Sequence, residues 1–573
     1  MSVLGIEFSY YLDSFYISPW LGSTIMSATP PATPRGIVAK KSWSEAAKAY
    51  LDRRAIIMLF LGFAAGIPIL LIFSSLSLWL REAGIERGVV TTFSWAALGY
   101  SFKFIWAPLI DAVPLPILTK WLGRRRAWML VSQIMIIAAI CIMASVNPIN
   151  DDMLTYMAIG AVLLGFSSAT QDIVIDAYRI ELAPPSLQSV LSAMYTAGYR
   201  LGMIFAGAGA LYLADYFGST EALYSYEAWR NTYWIMAAVM GVGVITTLVI
   251  KEPISKQVRL EQKPSDYGRL VFIFLLAVSA FVMTFIYVGE ALPESESIAV
   301  AFFYEVVRML SSIGSALLVG YLLVMAGLVN KQMAYVTWIE PIVDFFRRYG
   351  KKALLLLALI GLYRISDIVA GVMSNVFYQD MGFSKTDIAT AVKLVGVIMV
   401  IGGGFLGGIL AQKIRMMQAM MIGAILAAVS NMLFVVLTYH PGSLPVMYTA
   451  VIFDNLAAGL ASAVFIAFLS ALTSIRFTAV QYAIFSSLMT LLPKVLGGYS
   501  GTIVDNLGYP FFFTFTALIG VPILLIIYLV DKHIVIGDND DIYGDSDGNG
   551  GTDKLTKANP ALTDTQEPPR ASE

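Results

Sequence analysis

Several ionisable side chains of this sequence fall inside long apolar segments, where each can bind a proton or an opposite charge. Asp172 and Asp176 lie four residues apart, and Arg179 follows three residues later. At helical spacing these side chains share one face. Two carboxylates so placed repel each other unless a cation lies between them or one of them binds a proton. The triplet therefore indicates an ion-pair latch.

Arg364 and Asp367 form a second group of this kind, three residues apart near the middle of another apolar segment. If Arg364 moved onto an external carboxylate, Asp367 would be released to take up a proton, which would link the two ligands energetically. The two histidines lie in a loop and beyond the last apolar segment, so proton transfer falls on the acids. We place Asp367 first, followed by Asp454 and Asp172. The alternative is a permanent Arg–Asp pair that avoids a lone buried charge.

The composition excludes a water-soluble protein. Hydrophobic residues make up 58% of the chain, charged residues 13%, and the mean hydropathy is +0.73, whereas soluble domains are roughly a quarter charged. The net charge of −1 gives no information about nucleic acid, and since no basic tract suggests it, no nucleic-acid partner is expected. Cys141 is the only cysteine, so no disulfide forms within the chain.

Apolar runs long enough to cross a bilayer recur along the chain. We predict fourteen spans, at residues 55–80, 89–110, 127–146, 154–175, 187–214, 232–250, 270–288, 306–329, 353–377, 388–411, 420–438, 446–472, 482–498 and 511–530. They divide into six, two and six. The predicted organisation is an N-terminal cytoplasmic segment (1–50), a six-helix bundle (51–252), a linker with two extra spans (253–352), a second six-helix bundle (353–531) and a disordered acidic tail (532–573).

Positive charge sets the orientation. With the N-terminus inside, the cytoplasmic connections carry eighteen Lys and Arg residues and the opposite loops carry four, which places both termini in the cytoplasm. No Lys or Arg precedes Arg35, so the first fifty residues do not predict a cleaved signal peptide.

The two six-helix sets carry charges of the same sign on corresponding helices. The pairs are Lys103 with Lys393 on the second helices, Asp172 with Asp454 on the fourth, and Arg200 with Lys494 on the fifth. Each charge facing lipid would cost about 2.5–3.5 kcal/mol, so these groups must be paired or hydrated. Two repeats around a shared cavity, as in the major facilitator fold, would produce this pattern. Purely structural ion pairs are the alternative.

Several motifs occur in a fixed order: GYSFKFIWAPLID (99–111), GRRRAW (123–128), ATQDIVIDAYR (169–179), AGYRLGM (197–203), LYRISD (362–367), GGILAQKIR (407–415) and the pair Asp454–Asn455. In this order they closely resemble the AmpG family of muropeptide permeases, within the major facilitator superfamily. The resemblance covers residues 41–530, and the two middle spans resemble its longer, fourteen-helix members. It implies an all-α major facilitator fold of two six-helix bundles plus two extra central helices.

The resemblance also implies a function. Such permeases lie in the inner membrane of Gram-negative bacteria and import N-acetylglucosaminyl-1,6-anhydro-N-acetylmuramic acid, alone or with its stem peptide, at the expense of the proton motive force. The imported products feed wall recycling and can induce β-lactamase, which leads to antibiotic resistance. We therefore expect a transporter and not an enzyme, acting as a monomer on an anionic muropeptide and protons.

Muropeptide carboxylates suit a cationic cavity, because Arg binds a carboxylate with two hydrogen bonds and Lys acts as a point charge. The predicted substrate-binding residues are Lys103, Arg200, Arg364, Lys393 and Lys494, with Gln171 and, for the sugar faces, Tyr100, Tyr199 and Tyr363. Aromatic residues in membrane spans also serve in packing or interfacial belts, which is the alternative for the three tyrosines.

The segment from Asp111 to Arg126 resembles the loop that helps to close the cytoplasmic gate in this superfamily. The predicted gating residues are Asp111, Arg124 and Arg125, with Asp176 and Arg179. Eleven residues, AVPLPILTKWL, separate Asp111 from Gly123, which departs from the common form of the motif. Simple positive-inside anchoring is the alternative account of the arginines. The run GGGFLGG (402–408) predicts close helix packing.

Other classes of function fit less well. An ATP-driven pump would need G-x-x-x-x-G-K-[ST], which does not occur. A membrane-embedded enzyme would need a large soluble loop with metal-binding acids, and no loop is long enough. A proton-coupled permease for another organic anion, such as an acyl-coenzyme A, stays open, because a basic cavity suits that substrate too. No cofactor or metal site is predicted.

Overall fold

The computed structural model describes residues 43–86, 89–90, 93, 96, 98–219, 223–253, 263–293, 298–497 and 500–534. Within these ranges the chain is built almost entirely of helices, as the apolar runs predict. The predicted tail and most of the N-terminal segment lie outside the described residues. We label the segments that correspond to the fourteen predicted spans α1 to α14 in chain order.

The first six segments form the N-terminal half. They are α1 (Arg53–Glu82), α2 (Leu98–Phe102, Lys103–Ile105 and Ala107–Ala112), α3 (Arg124–Ala144), α4 (Asp151–Leu182), α5 (Pro185–Ile204, Phe205–Gly209 and Ala210–Tyr216) and α6 (Tyr226–Val249). The two middle segments are α7 (Pro264–Ala291) and α8 (Ile298–Met325).

The last six segments form the C-terminal half. They are α9 (Ala353–Leu362 and Ile365–Asp380), α10 (Ala389–Lys413), α11 (Met416–Thr438), α12 (Leu444–Leu472), α13 (Thr478–Gly497) and α14 (Ser500–His533). We call the end of the bundle that carries the basic loops the predicted cytoplasmic end.

Eleven helices in the described part of the chain are long and apolar enough to cross a membrane. The three remaining predicted spans coincide with α2, α5 and α13, which contain Lys103, Arg200 and Lys494 respectively. The prediction of an all-α polytopic membrane protein is confirmed. Each of these three segments holds a cation, as expected of spanning segments that line a cavity with polar residues.

Regular helix geometry is interrupted where three of the predicted cations lie. Lys103 begins a 3₁₀ turn in α2, and Lys393 lies in a π-helical stretch, Ala389–Val395, of α10. Arg364 lies at the break between the two parts of α9. Such departures are common at functional sites, and within a membrane they occur where backbone is buried in protein or lines a water-filled cavity.

The charged linker before α9 is helical, which the sequence analysis did not predict. Lys331–Ala334, Tyr335–Ile339 and Glu340–Tyr349 run on from one another and form one amphipathic helix, helix 331–349. The Asn330 side chain accepts a hydrogen bond from the Gln332 N–H and caps its start. Gly350, with φ of 56°, ends it.

Glycine brings helices into backbone contact inside each half. A Cβ on Gly62 or Gly66 of α1 would lie 2.1 Å from a backbone oxygen of α5. In the other half, a Cβ on Gly403 would lie 2.1 Å from the Leu456 oxygen of α12, and one on Gly407 would lie 2.6 Å from the Leu460 oxygen. The packing role predicted for residues 402–408 is confirmed, because no larger side chain fits there without separating the helices.

The two middle helices lie side by side at the edge of the N-terminal half. Thr284 of α7 donates a hydrogen bond to Ser315 of α8 at 2.8 Å. Leu270 and Ile273 of α7 are buried in a small cluster with Leu109 of α2. Most other described side chains of the pair are at least partly exposed, so α7 and α8 lie beside the core.

Candidate functional site

The predicted latch on α4 forms an ion-pair row that reaches α2. Lys103 Nζ lies 3.6 Å from Asp176 Oδ2, and Arg179 Nη2 lies 3.3 Å from Asp176 Oδ1. Asp176 therefore shares its two oxygens between two cations. Because all three side chains are largely buried, the pairing offsets the desolvation of each charge.

Arg179 carries this row across to the other half of the protein. Its side chain is fully buried, and its Nη1 donates hydrogen bonds to Gln188 and Ser192 of α5 and to Ser470 of α12, at 3.0, 3.1 and 2.9 Å. Its guanidinium also lies over the Tyr482 ring of α13, 5.1 Å from the centroid. Arg179 therefore links the two halves, and we call its contacts with Ser470 and Tyr482 the Arg179 strut.

Asp172 lies on α4 one turn before Asp176, and tyrosines surround it. Tyr195 donates a hydrogen bond to Asp172 Oδ1 at 3.2 Å, and Tyr100 donates one to Ser168 at 2.7 Å. The Tyr195 and Tyr199 rings lie 6.1 Å apart. Sequence reasoning selected Tyr100 and Tyr199 but missed Tyr195, although its position four residues before Tyr199 on α5 could have indicated it.

Gln171 of α4 is fully buried in the N-terminal half. Its side-chain nitrogen and oxygen have no hydrogen-bond partner among the described residues. The prediction that Gln171 binds substrate therefore requires a rearrangement of α4 or its surroundings.

The C-terminal half holds a second charge group. Arg364 and Asp367 form an ion pair, and Asp454 accepts a hydrogen bond from Ser430 at 3.1 Å. Asp454 also lies within electrostatic range of Asp367 and Arg364. The two predicted proton-coupling acids of this half are therefore neighbours.

Tyr363 does not offer a ring face to a ligand in this arrangement. It is buried, its hydroxyl donates to the Met420 oxygen at 3.0 Å, and its ring stacks on Phe465 with centroids 4.4 Å apart. Its contacts match the packing alternative.

The remaining cations lie between the halves or at the surface. Arg200 of α5 lies within electrostatic range of Arg364 and Asp367 of α9, and its Nη1 contacts the Met203 sulfur at 3.8 Å. Lys494 Nζ donates to Ser101 of α2 at 3.2 Å. Lys393 is exposed and makes no ion pair with the described residues.

Three of the five predicted gating residues, Asp111, Arg124 and Arg125, meet at the predicted cytoplasmic end. Arg125 Nη2 lies 2.7 Å from Asp111 Oδ1 and 2.5 Å from Glu181 Oε1. Thr478 of the other half accepts from Arg125 at 2.6 Å and donates to Glu181 at 2.6 Å. Glu181 and Thr478 were not predicted, because nothing in a single sequence links residues 297 positions apart.

Asp111 also caps the first turn of α13. Its Oδ2 accepts hydrogen bonds from the backbone N–H groups of Ala479 and Val480, at 3.0 and 3.1 Å. A carboxylate at a helix N-terminus satisfies otherwise unpaired donors and interacts favourably with the helix dipole. Arg124 Nη1 donates to the Asp111 backbone oxygen at 2.6 Å, so the eleven-residue separation does not keep the arginines from Asp111.

Glu252, just beyond α6, is hydrogen-bonded to the backbone of this network. It accepts hydrogen bonds from the backbone N–H groups of Arg125 and Arg126, at 2.8 and 3.1 Å. Burial raises the pKa of Glu252, while these backbone hydrogen bonds and Arg125 act in the opposite direction. Arg126 itself donates to the Thr247 and Leu248 oxygens of α6.

Further contacts join the halves near this end. Tyr50 donates to the Phe405 oxygen at 2.8 Å, and Ser189 of α5 donates to the Gly408 oxygen of α10 at 3.4 Å. With the Arg179 strut and the network at Asp111, these contacts close this end of the interface. Charged side chains between two closely packed halves can bind an anion. With this end closed, they can be reached only from the opposite end.

Two helical halves that meet at a gate around intramembrane charges define a membrane transporter. The model of the Major Facilitator Superfamily matches residues 55–368, and the chain belongs to this superfamily.

Curated relatives confirm the resemblance to AmpG permeases. "Putative transporter AmpG 4" of Rickettsia felis is 28% identical over 489 residues, which is 85% of this chain and 99% of that protein. "Anhydromuropeptide permease" of Escherichia coli K12 is 28% identical over 485 residues, 84% of this chain and 81% of that protein.

Solved structures share the fold. The transporter FucP in its outward conformation covers 84% of this chain and 99% of its own, with a TM-score of 0.53 and 10% identity. The proton:xylose symporter XylE covers 86% of this chain and 96% of its own, with a TM-score of 0.50 and 14% identity.

Proposed function

We propose that this chain imports anionic peptidoglycan fragments, the anhydromuropeptides, across the bacterial inner membrane by proton-coupled alternating access. The relatives named AmpG and anhydromuropeptide permease, similar over most of both chains, support the substrate class. Both termini are then cytoplasmic, as the distribution of Lys and Arg predicts.

The observation that carries the proposal is the electrostatic interaction of Arg200 in one half with the Arg364–Asp367 pair in the other. Among the described residues Arg200 forms no ion pair, whereas Arg364 is paired with Asp367. A substrate carboxylate between the two arginines would reduce their mutual repulsion and compete with Asp367 for Arg364. Lys103 of α2, which faces Asp176, and Lys494 of α13, which contacts Ser101 of α2, are two further cations of the proposed site.

Proton coupling follows from that competition. When Arg364 turns to the substrate, Asp367 is left as a partly buried carboxylate that interacts with Asp454, and two interacting acids favour binding a proton. Substrate and proton then stabilise the same state, and each raises the affinity of the other. Asp172, bonded to Tyr195, is the corresponding acid of the N-terminal half.

The contacts at Asp111, Arg125, Glu181 and Thr478 close the predicted cytoplasmic end, so this conformation would receive substrate from the opposite side. Opening inward requires Arg179 to leave Ser470 and Arg125 to leave Thr478. The glycine contacts inside each half let the halves rock as units while these polar contacts exchange.

The direct test is uptake of labelled anhydromuropeptide into proteoliposomes with and without an imposed pH gradient. Accumulation that needs the gradient is the expected result. A related permease for another organic anion, such as an acyl-coenzyme A, would instead show uptake that free anhydro-disaccharide does not compete with. Absence of competition by the disaccharide would contradict the proposed substrate.

A further inference from the structure

Helix 331–349 has one face fixed to the protein. Phe345 is buried, and its ring lies 5.1 Å from the ring of Phe485 on α13. Near its start, Met333 and Ala334 are buried with Leu109 of α2. The helix therefore contacts the N-terminal half at its start and the C-terminal half near its end.

Polar contacts fasten the same face to the first turn of α13. Arg348 donates to the Gln481 side chain at 2.8 Å and to the Leu472 oxygen at 3.0 Å. Gln481 in turn donates to the Pro341 oxygen at 2.8 Å and to Asp344 at 2.9 Å. Gln481 lies three residues after Thr478, so the helix is anchored one turn from the network that joins the halves.

The opposite face of the helix is apolar and exposed. Tyr335, Ile339, Ile342 and Phe346 are 39–48% exposed. Their spacing of four, three and four residues places them on one stripe of the helix. Apolar surface in water is unfavourable by about 25 cal/mol per Å², and this stripe occurs in a protein that crosses a bilayer.

Positive charge flanks the stripe. Lys331, Arg347 and Lys351 are exposed and form no ion pair with the described residues. The two acids of the helix are already paired, Asp344 with Arg348 at 3.0 Å and Glu340 with Arg476 at 2.9 Å. The exposed side of the helix thus combines an apolar stripe with uncompensated cations.

We propose that helix 331–349 is a binding surface for anionic phospholipid. The stripe lies in the boundary between acyl chains and head groups, and Lys331, Arg347 and Lys351 contact lipid phosphates. The charge complementarity selects lipid over an apolar protein partner, because amphipathic helices with basic residues beside the apolar face bind anionic bilayers. Arg348 and Gln481 connect this lipid-binding surface to the first turn of α13.

The first test measures the depth of the stripe. In a Cys141→Ser background, a spin label is placed at Ile342→Cys, and a control label at the exposed Lys532→Cys at the same end. The full chain is reconstituted in nanodiscs containing phosphatidylglycerol. Collisions with oxygen should exceed those with a water-soluble nickel complex at position 342, and the order should reverse at position 532.

Either of two results would overturn the proposal. Preferential collision with the nickel complex at position 342 would place the stripe in water. Shielding from both reagents would show that protein, from this chain or a second copy, covers it. Neither reading depends on transport, so this test can fail while the proposed function stands.

The second test concerns charge. The measured quantity is the binding of spin-labelled phosphatidylglycerol relative to spin-labelled phosphatidylcholine. One double variant combines Arg347→Glu with Lys351→Glu. The control double variant combines Lys120→Glu with Lys532→Glu and changes the net charge by the same amount. The first pair should lose about fivefold in preference for each residue, and the second pair should retain it. Equal loss in both pairs would show general charge attraction and contradict a site at this helix. Thermal unfolding of each variant checks that it is folded.

Discussion

Arg179 donates a hydrogen bond to Ser470 at 2.9 Å, and this bond joins the fourth helix of one half to the fourth helix of the other. The same guanidinium is held by Asp176, whose second oxygen faces Lys103 in the predicted substrate region. A single carboxylate therefore lies between a predicted substrate cation and a contact that closes the interface. Occupancy of Lys103 by a substrate carboxylate would change the charge balance at Asp176 and so the strength of the strut.

Asp176→Asn should weaken the strut. The amide keeps the shape but loses the charge that orients Arg179, so we expect increased labelling of engineered cysteines at the predicted cytoplasmic end by a membrane-impermeant thiol reagent. Glu227→Gln, an exposed acid paired with Arg230 at 3.7 Å, is the control. Unchanged labelling on both faces would leave Asp176 with a packing role only.

Thr478→Val should destabilise the closed network. Valine matches threonine in shape but neither accepts from Arg125 nor donates to Glu181. Since a hydrogen bond to a charged group contributes about 1.5–3 kcal/mol, labelling at the same end should rise on the order of tenfold or more. Thr449→Val, which loses only a bond to its own helix, should behave as the parent. A response equal to that control would mean that Thr478 does not hold the gate.

Arg200→Ala should abolish uptake while the protein stays folded and inserted, because the substrate carboxylate would lose its partner in the N-terminal half. Uptake into proteoliposomes measures this. Arg230→Ala, which removes a more exposed arginine of the same half, should transport normally. Normal transport by Arg200→Ala would remove this residue from the proposed site.

Asp367→Asn should separate transport from its driving force. The asparagine cannot take up a proton, so accumulation driven by a pH gradient should be lost, while exchange of substrate across the membrane should continue. Both are measured with labelled anhydromuropeptide in the same proteoliposomes. If the variant still concentrates substrate when pH is the only driving force, the coupling acid lies elsewhere, and Asp454→Asn is the next variant to examine.

Glu252 predicts a pH-dependent contribution to stability. Because burial raises its pKa, the contribution is present below the ordinary value and is lost as pH rises through the raised value. Glu252→Gln removes this loss, so its unfolding temperature relative to the parent should increase from about pH 4 to pH 7.

Asp52 is the matched control for Glu252. The Arg54 side chain holds the pKa of Asp52 below its usual value, so its stabilisation appears as pH rises. Asp52→Asn should therefore lose stability relative to the parent as pH rises towards about 4, and the difference should then stay nearly constant up to pH 7. If the unfolding temperatures of the two variants, relative to the parent, changed with pH in parallel, the opposite pKa shifts assigned to Glu252 and Asp52 would be contradicted.

The sequence was sufficient for the fold because apolar length and charge are local properties. Runs of apolar residues mark most helices directly, and even α2 and α5 could be placed although Lys103 and Arg200 interrupt them. Helix 331–349 was missed because the basic residues at its end and just beyond it, Arg347, Arg348, Lys351 and Lys352, led to its assignment as a charged linker. Its stripe of Tyr335, Ile339, Ile342 and Phe346 has the helical period that would have revealed it.

The site was only partly predictable because its contacts join distant residues. Asp111 and Arg125 could be selected from their motif, but their partner Thr478 belongs to the other half and carries no charge to mark it. Tyr363 shows the opposite limit. Its position next to Arg364 indicated a binding role, whereas the structure uses its ring and hydroxyl in packing against Phe465 and Met420, and sequence position alone does not show which way a ring points.

The pair α7 and α8 has a consequence for topology that follows from parity. Two crossings return the chain to the side of the membrane from which it left, so the C-terminal half keeps the same orientation that a direct connection would give it. The pair meets the core through a small cluster at Leu270 and Ile273, while helix 331–349 comes after it and contacts both halves. The hairpin is therefore topologically neutral, and a single added crossing at this point would have turned the second repeat upside down.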